Sequence, residues 1–214
     1  MEKTVVVLGQ ARSGTSMTAG LLNILGVILH QVDNPSNQNP RGAFEDRAFN
    51  GITSKMHIDF KKGFTPQQMK EKWDEKIQAL LTRRSEDGLW GWKSALTHYN
   101  IEYFLPHMKD PHFVVVTRNT NDAAKSLVVH RRDVYGTNIT IEHAIEDVQQ
   151  SVRALEKKLE QFKHIPTLRT TYGLVKTQPS GEIQKFGDFL EVEVTQEMKD
   201  AADDFILPKH STIK

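Results

Sequence analysis

The chain has 214 residues, no cysteine and a formal net charge of +1, with 28 Lys and Arg against 27 Asp and Glu. That balance argues against a nucleic-acid binder, and the lack of cysteine fits a reducing compartment. The longest apolar stretch, 21–29, is interrupted by Asn23 and is far too short for a bilayer. One domain over 1–214 is expected, with a large core and a cytoplasmic location, because a strand starting near residue 4 leaves no room for a signal peptide.

The first element is a strand. Val5-Val6-Val7-Leu8 is a continuous apolar run of the kind buried on both faces of a parallel sheet. It runs straight into Gly9-Gln10-Ala11-Arg12-Ser13-Gly14-Thr15-Ser16 and then into a helix over about 14–25 that Gly26 can end. The glycines permit a sharp turn and close approach to a ligand, and the helix start offers free N–H groups and a positive dipole end. This is a phosphate cradle. A nucleotide-hydrolysing P-loop would carry lysine where Thr15 stands; here the charge sits inside the loop, at Arg12.

A polar loop follows over 31–43, then the charged run Arg41-Gly42-Ala43-Phe44-Glu45-Asp46-Arg47. Thr65-Pro66-Gln67-Gln68 is a complete helix start, with cap, first-turn proline and capping-box glutamine. Met69, Trp73, Ile77 and Leu80 form its buried stripe. Leu89-Trp90-Gly91-Trp92-Lys93 reads as a strand, followed by a loop. Phe113 to Thr117 is a second buried strand; Arg118 lies at its carboxyl end, Asn119 or Thr120 caps the next helix, and Ser126 lies on that helix. His130-Arg131-Arg132 closes it, where cations suit the dipole, with substrate binding the other reading of this cluster. A long amphipathic helix spans about 140–162, with Ile141, Ala144, Ile145, Val148, Val152, Leu155, Leu159 and Phe162 on one face. A strand over 166–172 and two helices near 181–190 and 195–205 complete the chain. Strands alternating with helices imply an α/β fold with a parallel β-sheet flanked by helices in three layers.

The loop Arg12-Ser13-Gly14-Thr15-Ser16 after a first strand resembles the phosphosulfate-binding loop of the sulfotransferases. Cytosolic members of that family usually have lysine at the place of Arg12, whereas tyrosylprotein and many bacterial members have arginine. Arg118 and Ser126 resemble the family's pair for the 3′-phosphate of 3′-phosphoadenosine 5′-phosphosulfate (PAPS). Guanidinium and hydroxyl donors suit such an anion. Trp90-Gly91-Trp92-Lys93 resembles the Trp-Gly-x-Lys segment of small bacterial sulfotransferases, although Ser94-Ala95-Leu96 replaces their Asp-Pro-Arg. Ala95 also stands where cytosolic members have a histidine two residues after the lysine, and His98 is out of register, read as a surface or satisfied histidine. Tyr172-Gly173-Leu174-Val175 is similar to the family's Tyr-x-x-Leu step, and Ile206 to His210 loosely fits its C-terminal cofactor contact, with Lys209 as the candidate.

The resemblance implies a P-loop-like fold, PAPS as sulfuryl donor, PAP as product and transfer to a hydroxyl or amine of a small-molecule or saccharide acceptor. The scattered histidines, balanced charge and short apolar stretches argue separately against a metal, nucleic-acid or membrane partner. Arg12, Ser13, Gly14, Thr15 and Ser16 are then expected at one anion site and Arg118 and Ser126 at another, with Lys93 near the sulfuryl oxygens. Arg12 would also meet the leaving oxygen. Glu45 is the expected base for the acceptor proton, with Asp46 next; a self-paired surface charge cluster is the competing reading of both. The alternatives are a P-loop nucleotide or small-molecule kinase, which wants the missing loop lysine and a strand-ending aspartate, and a non-catalytic nucleotide-binding relative.

Overall fold

A computed structural model describes residues 2–30, 42–85 and 88–207. In chain order it contains β1 (Lys3–Leu8), α1 (Thr15–Ile24), β2 (Ile28–Leu29), α2 (Arg47–Lys61), α3 (Pro66–Arg84), β3 (Leu89–Lys93) and α4 (Thr97–Phe104). Then come β4 (Pro111–Thr117), α5 (Thr120–Tyr135), α6 (Ile141–Gln161), β5 (Thr167–Thr171), α7 (Tyr172–Thr177), α8 (Pro179–Leu190) and α9 (Gln196–Ile206). The strands form one sheet in the order β2-β3-β1-β4-β5, and every pairing is parallel.

The apolar run of β1 explains its central place. Val5 and Val7 face a core shared with Ala19, Leu22, Ile183 and Phe186, while Val6 and Leu8 face a second core with Trp90, Trp92 and Phe113. Side chains alternate along a strand, so a strand buried on both faces must be apolar throughout. Gly91, paired with Val5, sits between the two tryptophans. A Cβ there would stand 2.1 Å from the Val5 carbonyl oxygen, so this register requires glycine.

Trp92 also fixes α2. Phe49 stacks on its indole, with centroids 4.3 Å apart, and is fully buried. The α2 start is capped by Asp46, which accepts from the Ala48 amide at 2.8 Å and pairs with Arg84 at the end of α3 at 2.6 Å. The α3 capping box forms as the sequence indicates, with Thr65 and Gln68 bonded reciprocally. Its stripe of Met69, Trp73, Ile77 and Leu80 is buried. The α6 stripe divides its work: Ala144 and Val148 pack on α5, and Leu155 and Leu159 reach the tryptophan core.

Three expectations change. α4 replaces the loop expected after Lys93, α2 fills a stretch to which the sequence reading gives no element, and α5 runs on past Arg132 to Tyr135, ending at left-handed Gly136. His98, expected at the surface or satisfied, is 1% exposed; its Nε2 faces Ser151 Oγ at 3.3 Å and its Nδ1 has no partner among the described residues. Burial, with His57 and Lys158 nearby, pushes its pKa down to about 4. No helix among the described residues is long and apolar enough to cross a membrane.

Candidate functional site

A parallel sheet presents all its carboxyl ends at one edge, and ligands bind in the crevice beyond them. Here β1 leads to the Gly9–Gly14 turn, β3 ends in Lys93, β4 is followed by Arg118 and β5 by Tyr172. These groups border one cleft of about 1540 Å³, walled by the α1 start, the α5 face carrying Ser126, and the segment leading into α2.

The turn depends on its glycines in two ways. A Cβ at Gly9 would lie 2.6 Å from both Ser13 Oγ and the Val116 carbonyl. Gly14 has φ of 100°, in the left-handed region, and caps α1 without a side-chain bond. The first α1 amides therefore have no side-chain acceptor in the helix cap and face the cleft end. Arg12 is itself left-handed at φ of 66°, a strained conformation for a residue with a side chain.

Two polar clusters meet in the cleft. In the first, Arg12 Nε donates to Ser126 Oγ at 3.0 Å and Arg118 Nη1 donates to the Arg12 carbonyl at 3.2 Å. The Arg118 guanidinium lies 4.1 Å from the Tyr172 ring centroid, and Gln10 Nε2 donates to the Arg118 carbonyl at 3.2 Å. Arg118 Nε is buried with no partner among the described residues. Burial first, and then the neighbouring Arg118, hold Arg12 below the usual arginine range. Two guanidinium groups brought together, with no carboxylate bonded to either among the described residues, make a site that favours an anion.

In the second cluster, Lys93 Nζ donates to Glu45 Oε1 at 2.5 Å and to Ser16 Oγ at 3.2 Å. Asn50 Nδ2, one turn into α2, donates to Glu45 Oε2 at 2.5 Å. Lys93 is deeply buried for a lysine, and Glu45 remains partly open to the cleft. Each carboxylate oxygen keeps a second lone pair, so Glu45 still has acceptor capacity.

Most sequence-derived candidates thus converge. Arg12, Gly14, Thr15, Ser16, Glu45, Lys93, Arg118 and Ser126 border the cleft. Ser13 does not: its side chain is fully buried against Gly9. Asp46 is spent on the α2 cap and Arg84, and so is structural. Lys209 lies outside the described residues. The anion sites expected at two separate places are bridged, because Arg12 reaches across from its turn to Ser126. Sequence reasoning missed Asn50 and the platform role of Tyr172; an Asn one turn inside an unrecognised helix gave no signal, whereas an aromatic directly after the last strand was a usable one.

A family model described as the sulfotransferase domain matches residues 2–212. No curated protein matches the sequence. Among solved structures, the sulfotransferase domain from the curacin biosynthetic pathway superposes with a TM-score of 0.61 at 14% identity, over 92% of this chain and 77% of that one. The sulfotransferase from Alicyclobacillus acidocaldarius gives 0.57 at 13% identity, over 97% and 92%. Mouse sulfotransferase SULT7A1 complexed with PAP gives 0.54 at 14% identity, over 96% and 65%. At such identities these likenesses speak for the fold.

Proposed function

The chain belongs to the sulfotransferase domain family, and we propose that it moves a sulfuryl group from PAPS to a hydroxyl of a small-molecule or saccharide acceptor. The observation that carries this reading is the meeting of the Arg12–Ser126–Arg118 cluster and the Lys93–Glu45 pair in one cleft.

The residues fit a bisphosphorylated adenosine. The buried, unpartnered Nε of Arg118 and the two guanidinium groups suit the 3′-phosphate. The glycine turn and the uncapped α1 amides suit the 5′ end, with Thr15 and Ser16 hydroxyls beside them. PAPS when bound supplies an activated sulfuryl group on a good leaving phosphate. Arg12 belongs to both sites, its backbone in the turn and its guanidinium at Ser126. This makes it a binding residue for the 3′ end as much as a stabiliser of the leaving oxygen.

Lys93 stands between Ser16 at the α1 start and Glu45 on the opposite wall. It is the cation placed to serve the transferred group, and it holds Glu45 in place while that group is elsewhere. Glu45, fixed at both oxygens, accepts the acceptor's hydroxyl proton on a remaining lone pair. An ordered base and a preformed anion site cost no reorganisation at the moment of reaction.

The kinase alternative is disfavoured by Thr15 in place of the P-loop lysine and by Arg118 after β4, where a metal-holding aspartate would be wanted. Binding of PAP and ATP should be compared, and transfer from labelled PAPS followed across phenols, alcohols and sugars. PAP binding with transfer to at least one hydroxyl is the expected outcome. Binding of ATP in strict preference to PAP would overturn the reading.

A further inference from the structure

His130 lies one turn beyond Ser126, on the same face of α5, and borders the same cleft. It is the one histidine among the described residues lining that cleft. Its ring meets Tyr135 edge-on, with centroids 5.6 Å apart. Among the described residues, the charges acting on it are Arg12 in the β1–α1 turn, Glu45 on the approach to α2, and Arg131 and Asp133 on α5 itself.

We propose that His130 is a further donor-site residue, taking up a proton when the 3′-phosphate arrives beside Ser126 and donating the resulting N–H to that anion. The step is a protonation from solvent; no other bond is made or broken. This inference rests on the PAPS reading above.

The electrostatics agree in sign. Before the donor binds, burial and then Arg12 and Arg131 hold the ring below the usual histidine range, against the weaker pull of Glu45 and Asp133. A phosphate dianion offsets Arg12 and adds its own attraction, so the ring's proton affinity must rise. The advantage to binding is full below the free-site pKa and vanishes above the bound-site pKa. Each unit of difference is worth a factor of about ten in affinity.

Calorimetry of PAP binding at about pH 6.5, in two buffers of different ionisation enthalpy, reads the proton uptake directly. The phosphate itself titrates near pH 6 and is coupled to the ring, so the readout is the difference in net proton uptake between wild type and His130→Gln. Wild type should take up more protons than the variant. Its PAP affinity should gain on the order of tenfold between pH 8 and pH 6 relative to the variant. With adenosine 5′-monophosphate, which lacks the 3′-phosphate, the difference should disappear. Equal proton uptake in both proteins, or a difference that persists with the monophosphate, overturns the inference while leaving the donor reading intact. Failure of wild type to bind PAP defeats the donor reading itself. Should His130→Gln not fold, histidine ring resonances of the wild type titrated with and without PAP decide: none moving upward refutes the proposal.

Discussion

Gly14 carries two separable loads, and replacing it with alanine tests both. The first load is conformational: at φ of 100° and ψ of 15°, a side chain costs about 1–2 kcal/mol. The second is steric: a Cβ would lie 2.8 Å from Tyr172 Cδ2, whose ring carries the Arg118 guanidinium at 4.1 Å. Forcing that ring aside adds the cost of overpacking, about 1–3 kcal/mol. Gly26 provides the internal control, because its φ is 99° and nothing lies within 4 Å of its Cβ position. Gly26→Ala should therefore lose only the conformational part, with PAP affinity unchanged. Gly14→Ala should lose about 2–5 kcal/mol in all, the sum of the two costs. Its PAP affinity should weaken about 2- to 30-fold, since the Arg118–Tyr172 contact is worth about 0.5–2 kcal/mol. Urea unfolding gives the first quantity and calorimetry with PAP the second. Equal unfolding losses at the two glycines, or undiminished PAP affinity in Gly14→Ala, would refute the reasoning.

Three further outcomes are expected. Glu45→Gln should keep PAP binding but lose about 10²- to 10⁴-fold in turnover, the usual worth of a positioned base; a fully active variant removes Glu45 from that role. Asp46→Ala should do the reverse, because it loses the α2 cap and the Arg84 pair. Unfolding should show a loss on the order of 2 kcal/mol, with turnover per folded molecule near wild type. The buried His98 should make the protein acid-sensitive. Its folded pKa, about 4, lies below the unfolded value of about 6.5, so the unfolded state takes up the proton first as pH falls. Stability should drop by about 3 kcal/mol between pH 6.5 and 4, and His98→Gln should flatten that slope; an unchanged slope places the acid sensitivity elsewhere.

What the sequence by itself determined is whatever is decided over a few residues or by one repeating pattern. The β1 and β4 runs had to be central strands, because only a strand covered on both faces is apolar at every position. Thr65, Pro66 and Gln68 had to start a helix, and the α6 stripe had to be buried. The glycine turn with Arg12, and Arg118 after β4, were legible for the same reason: a strand end, a turn and a helix start are all local. α2 escaped notice although Asp46, bonded to the Ala48 amide, is a local cap signal; what completes the helix is tertiary. Asp46 is held by Arg84 from another helix, and Phe49 is buried among Trp90, Trp92 and Phe104.

Only the tertiary structure decided who meets whom. Nothing near Glu45 in the chain indicates that it pairs with Lys93 rather than with Arg47. Nor does any local pattern say that Arg12 crosses to Ser126, or that Tyr172 is the floor under Arg118. Those contacts follow from strand order and from all five strands running the same way. Parallel pairing carries residues far apart in sequence to one sheet edge, and short-range propensity contains no term for that.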